Sequence, residues 1–353
     1  MSEVHKRLQQ KLAERAAQGN LRQLKATSGL TDFCSNDYLG LARSEELRAL
    51  IHKYEDKYKH LPMGATGSRL LSGNNTLFEE LEATIAQYHH GEAALLFNSG
   101  YAANVGLMSA LPQRGDTIFY DEAIHASIKD GMRLSFAKSY SFKHNSLEDL
   151  RRKLNRATGT TFVVVESVYS MDGDKAPLVE LTQLCHEQSI ALIVDEAHAV
   201  GLYGPKGEGL TVALGLEDKV FAQVITYGKA MGSHGAAVVG PKVLRDYLIN
   251  FSRAFIYTTG LPTHALITLQ SAYKLLPALD KERQHVKKLA QSLLEQLNKV
   301  KGIRCTPEES VILSVFLESG DVAKLKELAL YLQQNGFDVR PVLSPTVPQG
   351  QER

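Results

Sequence analysis

The sequence predicts an α/β protein with a mostly parallel sheet, and three observations predict it. From about residue 93 to residue 240, short apolar runs alternate with stretches of helical spacing, the pattern of repeated βαβ units. The apolar runs, such as "TTFVVVE" and "IALIVDE", show no two-residue polar alternation, as expected of strands covered on both faces. After about residue 245 the pattern changes to a long helical region, a strand-like stretch and one more helix, the outline of a small α+β domain. A chain of 353 residues has room for such a pair of domains, and with 44% hydrophobic residues it can bury a sizeable core.

In chain order, Val4, Leu8, Leu12 and Ala16 recur at helical spacing among charges, so residues 3–18 read as a helical arm that packs on something else. Residues 44–60 and 75–90 follow as helices, the second with Leu77, Leu81 and Ile85 on one stripe. "AALLFNSG" is a short apolar run ending in glycine, "YAANVGLMSAL" a helix, "DTIFYD" a strand and "ASIKDGMRLS" a helix. "TTFVVVESVYS" is a buried strand, "LVELTQLCHEQS" a helix, and "IALIVDEAH", "VFAQVITYGK" and "GAAVVG" are further strands. Residues 262–300 form a helical region with a break near Pro277. "IRCTPEESVILSVFLE" is strand-like, and "DVAKLKELALYLQQNGF" is a helix that stops at Gly336. The expected division is an N-terminal arm over 1–35, a large domain over 36–245 and a small C-terminal domain over 246–353.

Composition excludes several classes of partner. Forty Lys and Arg face 39 Asp and Glu, a net charge of +1 that gives no footprint for nucleic acid or for an anionic membrane. No apolar run approaches the roughly 20 residues of a membrane span. The charged N-terminus has no secretory apolar core. Cys34, Cys185 and Cys305 are odd in number and show no metal-ligand spacing, which fits a reducing, cytoplasmic setting without a metal.

In open parallel sheets, ligands sit at the carboxyl ends of the strands. After "AALLF" come Asn98, Ser99, Gly100 and Tyr101 at the start of a helix, where free N–H groups favour a phosphate; a plain turn explains the same residues. After "TIFYD" comes His125, which alone reads as a structural histidine. After "TFVVVE" runs the polar turn Ser167–Gly173, and after "IALIV" come Asp195, Glu196 and His198, whose arrangement lacks the facing ligands of a metal site. After "FAQVIT" comes Lys229, set among Gly228, Gly232 and Gly235. Together these stations supply a phosphate cradle, a flat imidazole, a carboxylate and an amine. Pyridoxal 5′-phosphate (PLP) uses all four: an amine for its aldehyde, a carboxylate for its ring nitrogen, donors for its phosphate and a flat group over its ring.

The ordered motifs "FCSNDYLGLA", "GATGSRLLSGN", "FNSGYAAN", "DEAIHAS", "ESVYSMDGD", "VDEAHAVGLYG", "TYGKAMGSHGA", "FIYTTGLP" and "SPTVPQGQER" span nearly the whole chain. In them the sequence resembles the α-oxoamine synthase family of PLP enzymes. The resemblance implies PLP-dependent transferase fold type I, aspartate aminotransferase-like, with a mostly parallel seven-stranded central sheet in the large domain. It implies that Lys229 carries the cofactor as a Schiff base, Asp195 pairs with the pyridinium nitrogen, His198 bonds the phenolic oxygen and His125 stacks on the ring. It places Gly100, Tyr101 and Thr226 at the phosphate, Ser170 beside the cofactor, and Thr259 at the phosphate of a second subunit, so that the active unit is a homodimer. Asn36, Arg353 and, from less certain spacing, Arg22 are implied at the substrate.

The implied reaction is a decarboxylative condensation of an amino acid with an acyl thioester. "SNDYLGL", "GSRLLSG" and "DEAHAVG" favour the member that joins L-alanine to a pimeloyl group on coenzyme A or a carrier protein, in biotin biosynthesis. Sister members use glycine or L-serine. A subunit that only scaffolds an active homologue is the reading from a different class, and the presence of Lys229 speaks against it. Family members continue past the last motif. The resemblance therefore implies further strand and helix beyond Arg353, and a substrate-gripping arginine that is poorly anchored where it stands.

Overall fold

A computed structural model describes residues 2–24, 29–306 and 310–353. Residues 25–28 of the expected arm and 307–309 of the strand-like stretch lie outside the described residues. The chain divides into two compact units: the larger comprises 36–290 with 308–312, and the smaller 1–35, 291–307 and 313–353.

The larger unit is built on a seven-stranded sheet of β1 (Ala93–Phe97), β2 (Thr117–Asp121), β3 (Lys138–Phe142), β4 (Thr161–Glu166), β5 (Ala191–Asp195), β6 (Ala222–Thr226) and β7 (Ala236–Gly240). The spatial order is β1-β7-β6-β5-β4-β2-β3. Only β7 is reversed, pairing antiparallel with β1 and β6; the other pairings are parallel. Alternate residues feed two different cores. Leu95 and Phe97 of β1, with Val224 and Val238, join the helices Gly100–Ala110, Ala126–Leu134 and Leu178–Glu187. Ala94 and Leu96, with Ile225 and Val239, join Glu45–Tyr58, Thr76–Tyr88 and Thr263–Leu275. Successive strand side chains point to opposite faces, and here both faces are dry, which is why these strands read as unbroken apolar runs.

Two elements escape an apolar-run criterion. β3, "KSYSF", is an edge strand with Lys138 and Ser139 exposed, so it has no need of an apolar run. Helix Lys242–Phe251 buries only Leu244 and Leu248. The change of character after residue 245 falls inside the larger unit, because helix Thr263–Leu275 buries Leu266, Leu269 and Ala272 in the second core. Pro277 opens a short 3₁₀ turn, Leu276–Ala278, before helix Asp280–Leu297, as its missing N–H requires.

The smaller unit holds helix Glu3–Ala17, the antiparallel pair Ile303–Cys305 and Val315–Leu317, and helix Val322–Gln334, capped by the Asp321 carboxylate on the N–H groups of Ala323 and Lys324. Thr31–Asp32 pairs in parallel with Phe337–Asp338. Val4, Leu8 and Leu12 of the first helix are each 56% exposed, so its apolar stripe has no cover within the described residues.

One polar knot secures three loops of the larger unit. His144 places Nδ1 2.8 Å from Asp121 at the end of β2 and Nε2 2.7 Å from Asp174 in the turn after β4. Tyr169 sits edge-on to the imidazole at 4.5 Å. Burial alone would lower the His144 pKa, but the two carboxylates overcome it and raise it to about 10. His144→Ala strips the counter-charge from the fully buried Asp121 and is expected to cost about 2–4 kcal/mol near neutral pH, read by urea unfolding. Folded His144 keeps its proton to about pH 10, whereas an unfolded histidine loses it near 6.5. The His144 contribution is therefore complete below that lower value and declines as pH rises through the interval, and the gap between wild type and variant should close accordingly.

Candidate active site

A cavity of about 240 Å³ opens at the carboxyl ends of β1, β4, β5 and β6 in the larger unit. It is lined by Asn36, Ser99, Gly100, Tyr101, Asn104, His125, Ser127, Glu166, Asp195, Ala197, His198, Thr226, Gly228, Lys229, His234 and Gly235.

Lys229 lies in the tight connection from β6 to the reversed β7. Tyr227 donates its N–H to the Gly235 carbonyl at 3.0 Å, Ser233 donates to the Tyr227 carbonyl at 2.9 Å, and Gly232 donates to the Lys229 carbonyl at 2.8 Å. Gly232 has φ +59°, and a Cβ there would lie 2.3 Å from the backbone nitrogen of Ala42, so no side chain fits. The fully buried Tyr227 anchors the loop: its hydroxyl is 3.2 Å from that of Tyr273, which is 2.8 Å from His89 Nε2. The glycines around the lysine thus belong to a loop whose close packing excludes anything larger. Burial lowers the Lys229 pKa, against the opposing pull of Asp195 and Glu166. An amine so placed sheds its proton more readily than a surface lysine and is the better nucleophile for it.

Asp195 ends β5 and is 4% exposed. Its Oδ1 accepts the Ala197 N–H at 2.9 Å, and its Oδ2 accepts from Asn104 Nδ2 at 2.8 Å. Asn104 also donates to Ser127 Oγ at 3.1 Å, and Ser127 Oγ lies 2.7 Å from His125 Nδ1. His198, buried, has Nδ1 2.7 Å from the Tyr38 hydroxyl. Burial first, then the charges of Lys229 and His125, hold His198 well below the usual histidine range, so its imidazole is neutral at physiological pH. Burial likewise lowers His125. Glu196, next to Asp195, is turned away and saturated by donors: Ser167 Oγ, both backbone N–H groups of Leu210 and Thr211, and the Thr211 hydroxyl.

At the other end of the cavity, helix Gly100–Ala110 presents its N-terminus, with Ser99 capping the N–H of Ala102 at 3.1 Å. A Cβ on Gly100 would meet Thr226 Cγ2 at 2.6 Å, so helix and strand end approach as closely as a glycine allows. Thr226 Oγ1 is buried without a hydrogen-bond partner. A helix N-terminus beside an unsatisfied buried hydroxyl is an anion site by its chemistry.

The structure thus gathers Lys229, Asp195, His198, His125, Gly100, Tyr101, Thr226 and Asn36 at one cavity. Ser170 is not part of the lining. Thr259 is exposed and outside the lining, and its carbonyl accepts from Asn98 Nδ2 at 2.7 Å. Arg353 and Arg22 belong to the smaller unit. Arg22 donates to Thr346 Oγ1 at 3.1 Å. The expectation of a poorly anchored Arg353 is corrected: it exchanges both backbone hydrogen bonds with Val342, and its guanidinium lies 4.9 Å from the Phe316 ring centre. Asn104, Ser127, Tyr38 and His234 also attend the cavity or its lining. Of these, Asn104 carries a legible signal, as a lone amide in the apolar stretch "YAANVGLM".

The family model described as aminotransferase class I and II matches residues 28–353. An 8-amino-7-oxononanoate synthase of Emericella nidulans is 42% identical over 92% of this chain and 84% of its own. Among solved structures, the serine palmitoyltransferase of S. paucimobilis with bound PLP–myriocin superposes with a TM-score of 0.86 at 28% identity, covering 99% of this chain and 92% of that one. The 8-amino-7-oxononanoate synthase of Francisella tularensis gives a TM-score of 0.75 at 29% identity, over 90% and 89%. With these matches running through every strand that frames the cavity, the chain belongs to the aminotransferase class I and II family and, within it, to the α-oxoamine synthases.

Proposed function

We propose that the chain is a PLP-dependent acyltransferase that condenses L-alanine with a pimeloyl thioester to give 8-amino-7-oxononanoate, CO₂ and the free thiol, a step of biotin biosynthesis. The observation that carries this reading is one cavity holding an amine of lowered pKa, a buried carboxylate, a flat imidazole and an anion cradle. The residues fit PLP: the unpartnered Thr226 hydroxyl and the N–H groups of Gly100 and Tyr101 suit its phosphate, and Asp195, fixed by two donors, suits its ring nitrogen. Lys229 is the amine for its aldehyde, His198 the partner of its phenolic oxygen and His125 the group over its face. Bound PLP supplies an electron sink conjugated to the Cα of the amino acid.

The protein's own part is proton management and orientation. Lys229, released by the incoming amino acid, takes the Cα proton and later returns one to the same carbon. Between these transfers, a carbon–carbon bond forms to the acyl carbon, the carbon–sulfur bond breaks and the thiol leaves. The amino-acid carboxylate departs as CO₂. Asp195 is held in place by Asn104 and the Ala197 N–H. Asn36 lines the same cavity and is assigned to the amino-acid substrate; Arg353 is assigned to the substrate carboxylate, Arg22 to a place near the substrate and Ser170 to a place beside the cofactor.

The active unit is a homodimer with Thr259 reaching the phosphate of the second copy. The loop at 63–73 lies against 260–263, through Gly260 to Gly67 and Thr263 to Met63 hydrogen bonds. Here Met63 is 88%, Leu71 87% and Tyr257 72% exposed, an apolar surface suited to burial against a copy of itself. The free cysteines accord with a cytoplasmic setting, and no helix among the described residues is long and apolar enough to cross a membrane.

Purified protein mixed with PLP should develop a visible band that borohydride fixes to Lys229 and that Lys229→Ala does not form; a fixed band in that variant would move the site elsewhere. L-alanine should perturb the band at lower concentration than glycine or L-serine, and the reverse order would keep the family and change the substrate. Thr226→Val, which removes the unpartnered hydroxyl, should weaken PLP about tenfold in a spectroscopic titration.

A further inference from the structure

Glu166 ends β4 in a position to matter, yet the reaction above gives it no part. It is 2% exposed, lines the cavity, and stands as the register partner of Asp195 on the neighbouring strand. Its Oε1 accepts the backbone N–H of His125 at 2.5 Å, and the backbone N–H of Ser170 lies close enough to favour the charged form of its carboxyl. These N–H groups sit on different loops. His125 follows β2 and caps helix Ala126–Leu134, while Ser170 belongs to the turn after β4. One carboxyl therefore meets two loops at a single strand end.

We propose that Glu166 is a positioning residue for the condensation, fastening the His125 loop so that the imidazole keeps a fixed place over the cavity. The inference rests on the reading of that cavity as a PLP site. The imidazole is held from both sides: its backbone by Glu166, and its Nδ1 by Ser127, which Asn104 joins to Asp195. Burial and the nearby Asp195 push the Glu166 carboxyl up to about 8, against the pull of Lys229. A carboxyl that keeps its proton near neutrality places no second anion beside Asp195, and its carbonyl oxygen still accepts N–H donors. What Glu166 offers is then an acceptor at a set reach, and a glutamine has the same.

The test compares wild type with Glu166→Gln, Glu166→Asp and Glu166→Ala, each reconstituted with PLP. The readouts are PLP affinity, the visible circular dichroism of the bound cofactor, and the melting temperature of each protein without PLP. Glu166→Gln should match wild type within about threefold in affinity and keep the dichroic signal. Glu166→Ala, which leaves the His125 N–H without its acceptor, should lose about tenfold in affinity and at least about half the signal. Glu166→Asp retains the carboxyl but not its reach and should follow Ala; it carries the test if the Ala variant folds poorly. Ala and Asp variants indistinguishable from wild type would overturn the proposal, as would a Gln variant impaired like Ala, since charge would then be the operative property. A wild type that takes up no PLP would overturn the cofactor reading itself, and this inference with it.

Discussion

The constraint on which the rest depends is that both faces of the central sheet are dry. With Leu95, Phe97 and Val224 packed into one core and Leu96, Ile225 and Val239 into the other, polar chemistry has no place along the strands. It is displaced to the strand ends, and because all strands but β7 run the same way, those ends lie along one edge. Glu166, Asp195 and Thr226 are the last residues of β4, β5 and β6 for this reason. The cavity follows from the packing of the sheet as much as from the residues that line it.

Burial also sets the protonation states within it. Desolvation lowers Lys229, His125 and His198 and raises Glu166, in each case toward the uncharged form. Asp195 is the group furnished with two donors, from Asn104 and the Ala197 backbone. The site thereby weakens the charge of the groups that exchange protons, which suits a reaction that moves protons to and from carbon.

Much of this was legible in the sequence, for reasons that differ by residue. β4, β5 and β6 announce themselves as apolar runs because they are covered on both sides, and the residue at the end of each run then stands out. β3 does not, because an edge strand with one solvated flank has no need of an apolar pattern. Asp195, His125 and Lys229 were visible as stations after strands. Tyr38 and Ser127 were not, since their part depends on contacts, to His198 across 160 positions and to His125 across a helix start, that no local pattern encodes. Glu166 showed its position but not its role. The polar knot of His144, Asp121 and Asp174 joins three separated loops, and nothing in spacing alone distinguishes it from three surface residues. The unit boundary was obscured in the same way: helix Thr263–Leu275 resembles its C-terminal neighbours in pattern and differs in what it packs against.

The reversed strand β7 has a consequence for how the site can change over time. Because β7 returns directly beside β6, the segment that bears Lys229 is a short closed hairpin connection, pinned by the Tyr227–Gly235 bond and with Gly232 pressed against Ala42. Neither insertion nor lengthening is tolerated there without re-aiming the amine. Walls such as the segment around Asn36 are under no such closure. Divergence in what the cavity accepts is therefore channelled away from the lysine and into those walls, so that one fixed amine can persist while the surroundings drift.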